Sequence, residues 1–274
     1  MQWPLVRLRG TPVVAVVRLS GVIGPLGPWR GGLSLAGLAP TLERAFALGG
    51  LKGVALAINS PGGSPVQSAL IARRIRALAA EKKLPVFAFV EDVAASGGYW
   101  LATAGDEIYA DDSSIIGSIG VISAGFGFPE LLQRLGVERR VHAAGPRKSM
   151  LDPFRPESSD DVARLEALQR EIHDSFKAQV RARRGERLKA DDETLFSGEF
   201  WTGRRGLELG LIDGLGDLRS VMRTRFGDKV RLRPVGGQRG WLMRRLGRSA
   251  APDDWARGLL AAAEERALWA RFGL

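Results

Sequence analysis

The chain has 274 residues, 45% hydrophobic and 26% charged, so it is long enough to bury the core of one large α/β domain or two small ones. It contains no cysteine, which excludes a disulfide framework, a cysteine nucleophile and thiolate metal sites, and its two histidines argue against a multi-histidine metal site. The net charge of +10 suits an anionic surface, but no nucleic-acid-binding signature accompanies it, so no nucleic-acid partner is expected.

The N-terminal half alternates apolar runs with helical patterns. Helices are predicted over Leu38–Leu48 and Val66–Ala80 and from about Gly98. The apolar runs predict strands at 13–19, 53–58, 85–90 and 107–110, with a Gly-rich turn at 117–121. Strands separated by helices indicate βαβ units and therefore a layered, mostly parallel sheet.

The C-terminal half changes character. A short helix is predicted over 129–135, a strand over 137–143, and a long helix from Ser158, which forms a capping-box pattern with Asp161. We expect one domain over residues 1–235, with its core motifs at 12–217, and a basic amphipathic tail over 236–274.

The chain shows neither a signal peptide nor a membrane span. Its first apolar run is broken at Arg18, and no run approaches the roughly 18–20 residues of a transmembrane helix. A cytoplasmic location is therefore expected. The tail combines basic charge with Trp, Leu and Phe, which permits peripheral membrane contact, although packing on its own oligomer is the favoured alternative.

Three loops contain candidate catalytic residues. Ser96 sits between an apolar run and a helix start, where it is either a nucleophile beside free N–H groups or an ordinary N-cap. The loop Asn59–Gly63 reads NSPGG and could aim the Gly63 N–H into a cleft beside the N–H of Gly97, or could be a simple turn. Lys148 lies in a third loop, where a lysine with a lowered pKa can serve as a base, although most lysines are solvated surface charges.

These loops, in this order, give the chain its family resemblance. It resembles the signal peptide peptidase A (protease IV) family of serine peptidases, in particular the shorter, single-repeat SohB-like members. The resemblance covers roughly residues 12–230. The matching stretches are VVRLSGVI, LAINSPGGSP, VEDVAASGGYWLATAGDEIYA, IIGSIGVI, GPRKSMLDPFRP and FSGEFWTGRRGLELGLIDGLGD.

The resemblance implies a role for each loop. The serine of ASGGY, here Ser96, would be the nucleophile, and the lysine of the GxxKS loop, here Lys148, would be the general base. Gly63 and Gly97 would supply the oxyanion N–H groups. Ser118 would hydrogen-bond the lysine amine, and Asn59 is a further supporting residue. No metal or other cofactor is implied.

The resemblance also implies a Clp/crotonase-like stack of ββα units followed by a helical C-terminal extension. The expected activity is endopeptidase cleavage of signal peptide remnants or other hydrophobic or unstructured peptides. A homo-oligomer is expected, in which Lys148 acts within its own subunit or on a neighbour. The alternatives are a crotonase-like acyl-CoA enzyme and a non-catalytic, membrane-associated scaffold. His142 is a less favoured base, because its VHA context reads as a strand.

Overall fold

The computed structural model describes residues 11–24, 32–145, 147–236 and 266–274. Its strands are β1 (Val13–Ser20), β2 (Leu51–Ser60), β3 (Val86–Ala95), β4 (Glu107–Ala110), β5 (Ile115–Gly117), β6 (Phe200–Thr202), β7 (Gly214–Leu215) and β8 (Arg231–Val235). Its helices are α1 (Leu35–Phe46), α2 (Pro65–Lys82), α3 (Gly97–Ala102), α4 (Pro129–Arg134), α5 (Ser159–Arg184), α6 (Asp192–Leu195), α7 (Gly203–Glu208) and α8 (Leu218–Phe226), with a 3-10 turn at Gly185–Arg187.

The strands form one sheet in the order β6-β5-β3-β2-β1-β8, with β4 pairing with β3 and β7. Every pairing is parallel except that of β5 with β6. Crossover helices cover the sheet, as parallel strands require. The mixed α/β architecture with a mostly parallel sheet confirms the expected fold class.

The core lies on both faces of this sheet because successive side chains of a strand point to opposite faces. Leu56 and Ile58 of β2 join the larger cluster, which lies under α1, α2 and α3. Ala55 joins Phe87 and Phe89 in a smaller cluster, which α8 covers through Met222.

Strand β3 has two partners in succession. Residues 87–90 pair with β4, whereas 93–95 pair with β5. The strand therefore extends past the apolar run predicted at 85–90, and it ends directly before Ser96. This change of partner carries the Ser96 corner away from β4 and places it beside β5.

Local capping explains most helix boundaries. Helix α1 begins at Leu35, three residues before the predicted start, because the Ser34 hydroxyl accepts a hydrogen bond from the Gly37 N–H. Helix α2 follows the Ser64 cap and has Pro65 at its first position. The capping box predicted at Ser158 is wrong: its side chain accepts no cap hydrogen bond, and the Asp161 carboxylate accepts one from the Leu151 N–H.

Residues 121–145 and 147–157, which we call the arm, protrude from the sheet. The strand predicted at 137–143 is wrong, since those residues are irregular and mostly exposed and pair with no described strand. Helix α4 buries none of its residues. The arm is held by its own contacts: Arg139 pairs with Asp152 at 2.8 Å, and the Phe128 N–H donates to the Pro153 carbonyl at 2.6 Å.

The long helix α5 is only partly a core helix. Phe176 and Val180 are buried, but Leu168 and Ile172, which precede them at the same four-residue spacing, are exposed. Of the tail predicted over 236–274, the described part is Gly236 and residues 266–274, which begin with a helical turn at 266–270. None of the described helices is long and apolar enough to span a membrane.

Candidate active site

Ser96 occupies the corner between β3 and α3 in a backbone conformation that an L-residue rarely adopts. Its φ is 51° and its ψ is −121°, and its side chain makes no cap hydrogen bond to α3. Ser96 therefore stands at the N-cap position of α3, but its hydroxyl does not cap the helix. A non-glycine residue with such a φ costs free energy and persists only where its surroundings hold it, and strain of this kind concentrates at functional sites.

Several contacts hold this corner. The Ser96 N–H donates to the Gly117 carbonyl at 2.8 Å, and the Ser96 carbonyl accepts from the Trp100 N–H at 3.0 Å. Three residues after Ser96, the hydroxyl of Tyr99 donates to the Leu211 carbonyl at 2.7 Å. Burial raises the pKa of this phenol, so Tyr99 stays a neutral donor. Helix α3 is thereby fixed to the core on the side away from the cavity.

Gly63 and Gly97 lie next to each other beside Ser96. A Cβ placed on Gly97 would come within 3.4 Å of the Gly63 nitrogen. Among the described residues, neither the Gly63 N–H nor the Gly97 N–H donates a hydrogen bond. Two neighbouring free donors, one at the start of a helix, form the arrangement that stabilises an oxyanion.

A side chain at Gly63 would collide with backbone, and one at Gly97 would force the Ser68 side chain to shift. Gly63 has φ of 135°, and a Cβ there would meet the Ile23 carbonyl oxygen at 2.1 Å. A Cβ on Gly97 would meet the Ser68 hydroxyl at 2.5 Å. The neighbouring Gly62 is equally restricted, since its Cβ would come within 2.8 Å of the Ser96 Cβ. The NSPGG loop is therefore packed directly against the serine corner and is more than an ordinary turn.

Asn59 supports this loop from outside the cavity. Its side-chain amide donates to the Asp92 carboxylate, and its side-chain oxygen accepts from the Val93 N–H at 3.2 Å. Its backbone carbonyl accepts from the Gly21 N–H at 2.9 Å. Asn59 thus ties the end of β2 to β3 and β1.

Ser96 opens onto a cavity of about 440 Å³. Its wall contains Ser118 and Gly63, together with Pro61, Pro65, Gly120, Val121, Ile122, His173, Ser197, Gly198, Leu268 and Arg271. Ser118 is almost buried and also has a positive φ, of 51°. The structure thus brings Ser96, Gly63, Gly97 and Ser118 together.

Lys148 is not brought to this cavity. It lies in a turn of the arm, is exposed, and is absent from the cavity wall. Its backbone N–H donates to the Gly145 carbonyl at 3.2 Å. His142 is also exposed on the arm, so the packed strand position expected for it is wrong.

Sequence reasoning missed two contributors to the cavity. His173 lies on α5, where its helical spacing gave no sign of a contact 54 residues away. Leu268 and Arg271 come from the described end of the tail, and Phe272 beside them packs edge-on against Phe200 with ring centroids 5.1 Å apart. No group of three or more potential metal ligands occurs among the described residues.

The chain is similar in sequence to several known proteins. A Brucella abortus protein named Na(+)/H(+) antiporter NhaA is 56% identical over 272 residues, which are 95% of this chain and 37% of that protein. The chloroplastic serine protease SPPA of Arabidopsis thaliana is 30% identical over 222 residues, covering 79% of this chain and 32% of that protein. The chain thus spans about a third of the length of both relatives.

Solved structures show the same fold. A mutant of the 1510-N membrane-bound stomatin-specific protease, in complex with a substrate peptide, aligns with a TM-score of 0.54 at 16% identity, covering 86% of this chain and 98% of that one. The sequence model of peptidase family S49 matches residues 78–229, which include Ser96, Ser118 and Lys148. The chain belongs to peptidase family S49, a family of serine peptidases.

Proposed function

We propose that the chain is an endopeptidase in which Ser96 is the nucleophile, Lys148 is the general base, and the Gly63 and Gly97 N–H groups form the oxyanion hole. The observation that carries this proposal is the strained Ser96 corner, which adjoins two free backbone donors. His142 lies on the same exposed arm as Lys148 and is the less favoured alternative base, whereas the Nε2 of His173 faces the Ile119 carbonyl and is occupied there.

In the proposed reaction, neutral Lys148 takes the Ser96 proton as Oγ attacks the peptide carbonyl carbon. The carbonyl oxygen gains negative charge and accepts hydrogen bonds from the Gly63 and Gly97 N–H groups. Protonated Lys148 then donates its proton to the leaving amine, and an acyl-enzyme remains on Ser96. Water, deprotonated by Lys148, attacks this ester, the carbon–Oγ bond breaks to release the acid product, and Lys148 returns the proton to the Ser96 Oγ.

We propose that the Lys148 that acts on Ser96 belongs to a second copy of the chain. Within one chain Lys148 stands outside the Ser96 cavity. The arm that carries it exposes a series of large apolar side chains: Ile122, Phe126, Phe128, Leu131, Leu135 and Val137. Apolar surface of this extent is typical of a protein interface. A homo-oligomer would bury it and could deliver Lys148 to the neighbouring Ser96.

Peptides that are hydrophobic or unstructured, such as signal peptide remnants, are the proposed substrates. Pro61, Pro65, Val121 and Ile122 give the cavity apolar walls, and no acidic side chain contributes to them among the described residues. Since Arg271 also lies in the wall, a cavity of this kind suits an extended segment with small or apolar side chains better than a basic one.

The proposed location is the cytoplasm. Whether the tail also contacts the membrane surface is the question that the following experiment answers. The described part of the tail contacts the chain itself, at the Ser96 cavity and at Phe200, which favours packing on protein. Co-sedimentation with anionic liposomes would distinguish the two. Deletion of residues 237–274 should leave binding unchanged if the tail packs on protein, and should abolish it if the tail is the membrane contact.

The proposed nucleophile is tested by covalent labelling and digestion. The unaltered chain should hydrolyse an apolar peptide library and should carry a fluorophosphonate adduct at Ser96 by peptide mapping. Ser96→Ala should lose both, with hydrolysis reduced by at least about 10⁴-fold, whereas the exposed Ser113→Ala serves as the matched control. Hydrolysis that persists in Ser96→Ala would refute the proposal. An acyl-CoA enzyme or a scaffold would hydrolyse no peptide at all.

A further inference from the structure

His173 lies in the wall of the Ser96 cavity with its Nε2 3.0 Å from the carbonyl oxygen of Ile119. A carbonyl oxygen only accepts hydrogen bonds, so Nε2 must carry a proton and donate it. Both the imidazolium and the neutral tautomer protonated at Nε2 can do so. The Nε2 atom is therefore engaged as a donor and does not serve as the base for Ser96.

The Ile119 carbonyl belongs to the loop of residues 117–120, and each of these residues takes part in a backbone hydrogen bond. The Gly117 carbonyl accepts from the Ser96 N–H at 2.8 Å, and the Ser118 N–H donates to the Glu199 carbonyl at 2.6 Å. The Ser118 carbonyl accepts from the Gly120 N–H at 3.0 Å. Next along the chain, the Ile119 carbonyl accepts from His173. Among the described residues, His173 is the one side chain that donates to the backbone of 117–120.

This loop needs restraint because it contains a strained residue. Ser118 has φ of 51°, a conformation that serine does not retain without support. The Ile119 side chain is completely buried, which anchors the loop on its core side. The His173 hydrogen bond restrains the loop from the other side, next to the cavity.

Helix α5 connects this wall to the nucleophile. Phe176 follows His173 by three residues and so lies on the same face of α5. Its ring stacks on Trp100 of α3 with centroids 4.8 Å apart. Helix α3 begins directly after Ser96. One face of α5 therefore contacts the helix that follows the nucleophile and, one turn earlier, the loop that contributes Ser118 and Gly120 to the cavity wall.

We infer that His173 is a positioning residue, which sets the distance between Ser96 and the wall formed by Ser118 and Gly120–Ile122. This inference rests on the proposed function of Ser96. A substrate that runs along this wall would be misplaced if the wall moved, and a displacement of about 1 Å can reduce a rate by about 100-fold. His173 acts through the Ile119 carbonyl and need not touch the reacting atoms.

The test replaces His173 by Phe, which keeps a ring but removes the donor, and by Gln, which keeps an N–H donor. Glu171→Gln, an exposed change on the same helix, is the control. Hydrogen exchange of the Ser118 and Gly120 amides should be about fivefold faster in His173→Phe, as the loss of one hydrogen bond predicts. The value of kcat should fall at least about tenfold, with a smaller change in KM. The His173→Gln variant should have amide exchange rates and a kcat close to those of the unaltered chain, and Glu171→Gln should change neither quantity.

Each outcome decides a separate claim. Unchanged amide exchange in a folded His173→Phe variant would overturn the inference, and so would faster exchange with unaltered kcat. A folded His173→Gln variant as impaired as the Phe variant would show that the donated hydrogen bond is not what matters. If the unaltered chain hydrolysed no peptide, the proposed function would fail, and the exchange rates alone would still show whether His173 restrains the loop.

Discussion

The sheet around Ser96 and the arm around Lys148 are built in opposite ways. At the serine corner the neighbouring core side chains are buried, the Gly63 and Gly97 N–H groups donate to no described residue, and two strained residues are restrained. On the arm the large apolar side chains are exposed, with Phe126 at 83%, and α4 buries nothing. The proposed nucleophile and oxyanion donors are therefore packed within one chain. The proposed base, Lys148, lies on an exposed surface that has no partner among the described residues.

This difference indicates that oligomer assembly would affect the arm and would leave the Ser96 corner unchanged. The oxyanion donors and Ser96 depend on packing within one chain, so they are preorganised before any partner arrives. The arm can bury its apolar surface only against another molecule. Activity should therefore respond to changes on the arm even where the stability of the folded chain does not.

Replacing Lys148 should give the largest effect on the arm. Lys148→Arg keeps the positive charge but cannot release a proton near neutral pH, so hydrolysis should fall about 10³- to 10⁴-fold, as in Lys148→Ala. Steady-state hydrolysis of an apolar peptide measures this loss, with the exposed Lys229→Ala as control. An active Lys148→Arg variant would exclude Lys148 as the base.

A change at the oxyanion hole should cost less. Gly97→Ala would place a Cβ 2.5 Å from the Ser68 hydroxyl and displace the Gly97 N–H, and losing one such donor costs about 100-fold in kcat. Adding Ser68→Ala should restore part of the rate by relieving the clash. Gly49→Ala is the matched control, since a Cβ there meets nothing within 4 Å. Full activity in Gly97→Ala would argue against this N–H as a donor.

The exposed apolar surface of the arm should matter to assembly rather than to folding. Phe126→Asp should change the free energy of unfolding by under about 0.5 kcal/mol, whereas Leu56→Ala in the core should cost about 3 kcal/mol. Phe126→Asp should nevertheless dissociate the oligomer and lower hydrolysis at least about tenfold. Light scattering, urea unfolding and activity measured together test this contrast. An unchanged oligomer mass would show that Phe126 lies outside the interface.

At Asp213 in the core we expect the reverse of the Phe126 result, namely a large loss of stability with little change in kcat. Its carboxylate accepts from Arg184 at 2.7 Å and from the Ile108 N–H at 2.7 Å, and the Arg184 side chain is 1% exposed. Asp213→Asn would leave that buried cation unpaired and should cost about 3 kcal/mol of unfolding free energy. Its effect on kcat should be small, because Asp213 does not line the Ser96 cavity.

The same pair makes this stability depend on pH. Burial raises the pKa of Asp213, but Arg184, the Ile108 N–H and Arg187 outweigh it, and the pKa is lowered overall. The stabilisation is therefore present above the unfolded-state pKa of about 3.9 and is lost as the pH falls through the folded-state pKa. The difference in unfolding free energy between the unaltered chain and Asp213→Asn should shrink below about pH 4. Asp228→Asn, at an exposed position, should show no such change.

The sequence predicts those parts of the site that are formed by residues adjacent in the chain better than those that depend on contacts between distant segments. Gly97 adjoins Ser96, and NSPGG follows a buried strand, so apolar runs and glycines pointed to both loops, while the roles of their residues came from the family resemblance. The strand wrongly predicted at 137–143 had the right residue types but no neighbouring strand to pair with. His173 contacts a loop 54 residues away, and that depends on the register of α5 against α3, which helical periodicity does not encode.

The division of the site between two copies is tested most directly by mixing inactive chains. Ser96→Ala and Lys148→Ala, carrying different tags, are co-expressed and purified through both tags. If Lys148 acts on a neighbouring subunit, an intact Ser96 meets an intact Lys148 at half of the sites of a mixed two-chain assembly and at about a quarter of the sites of a large mixed ring, so about a quarter to a half of the full activity returns. Mixed oligomers that remain as inactive as either variant alone would contradict the account.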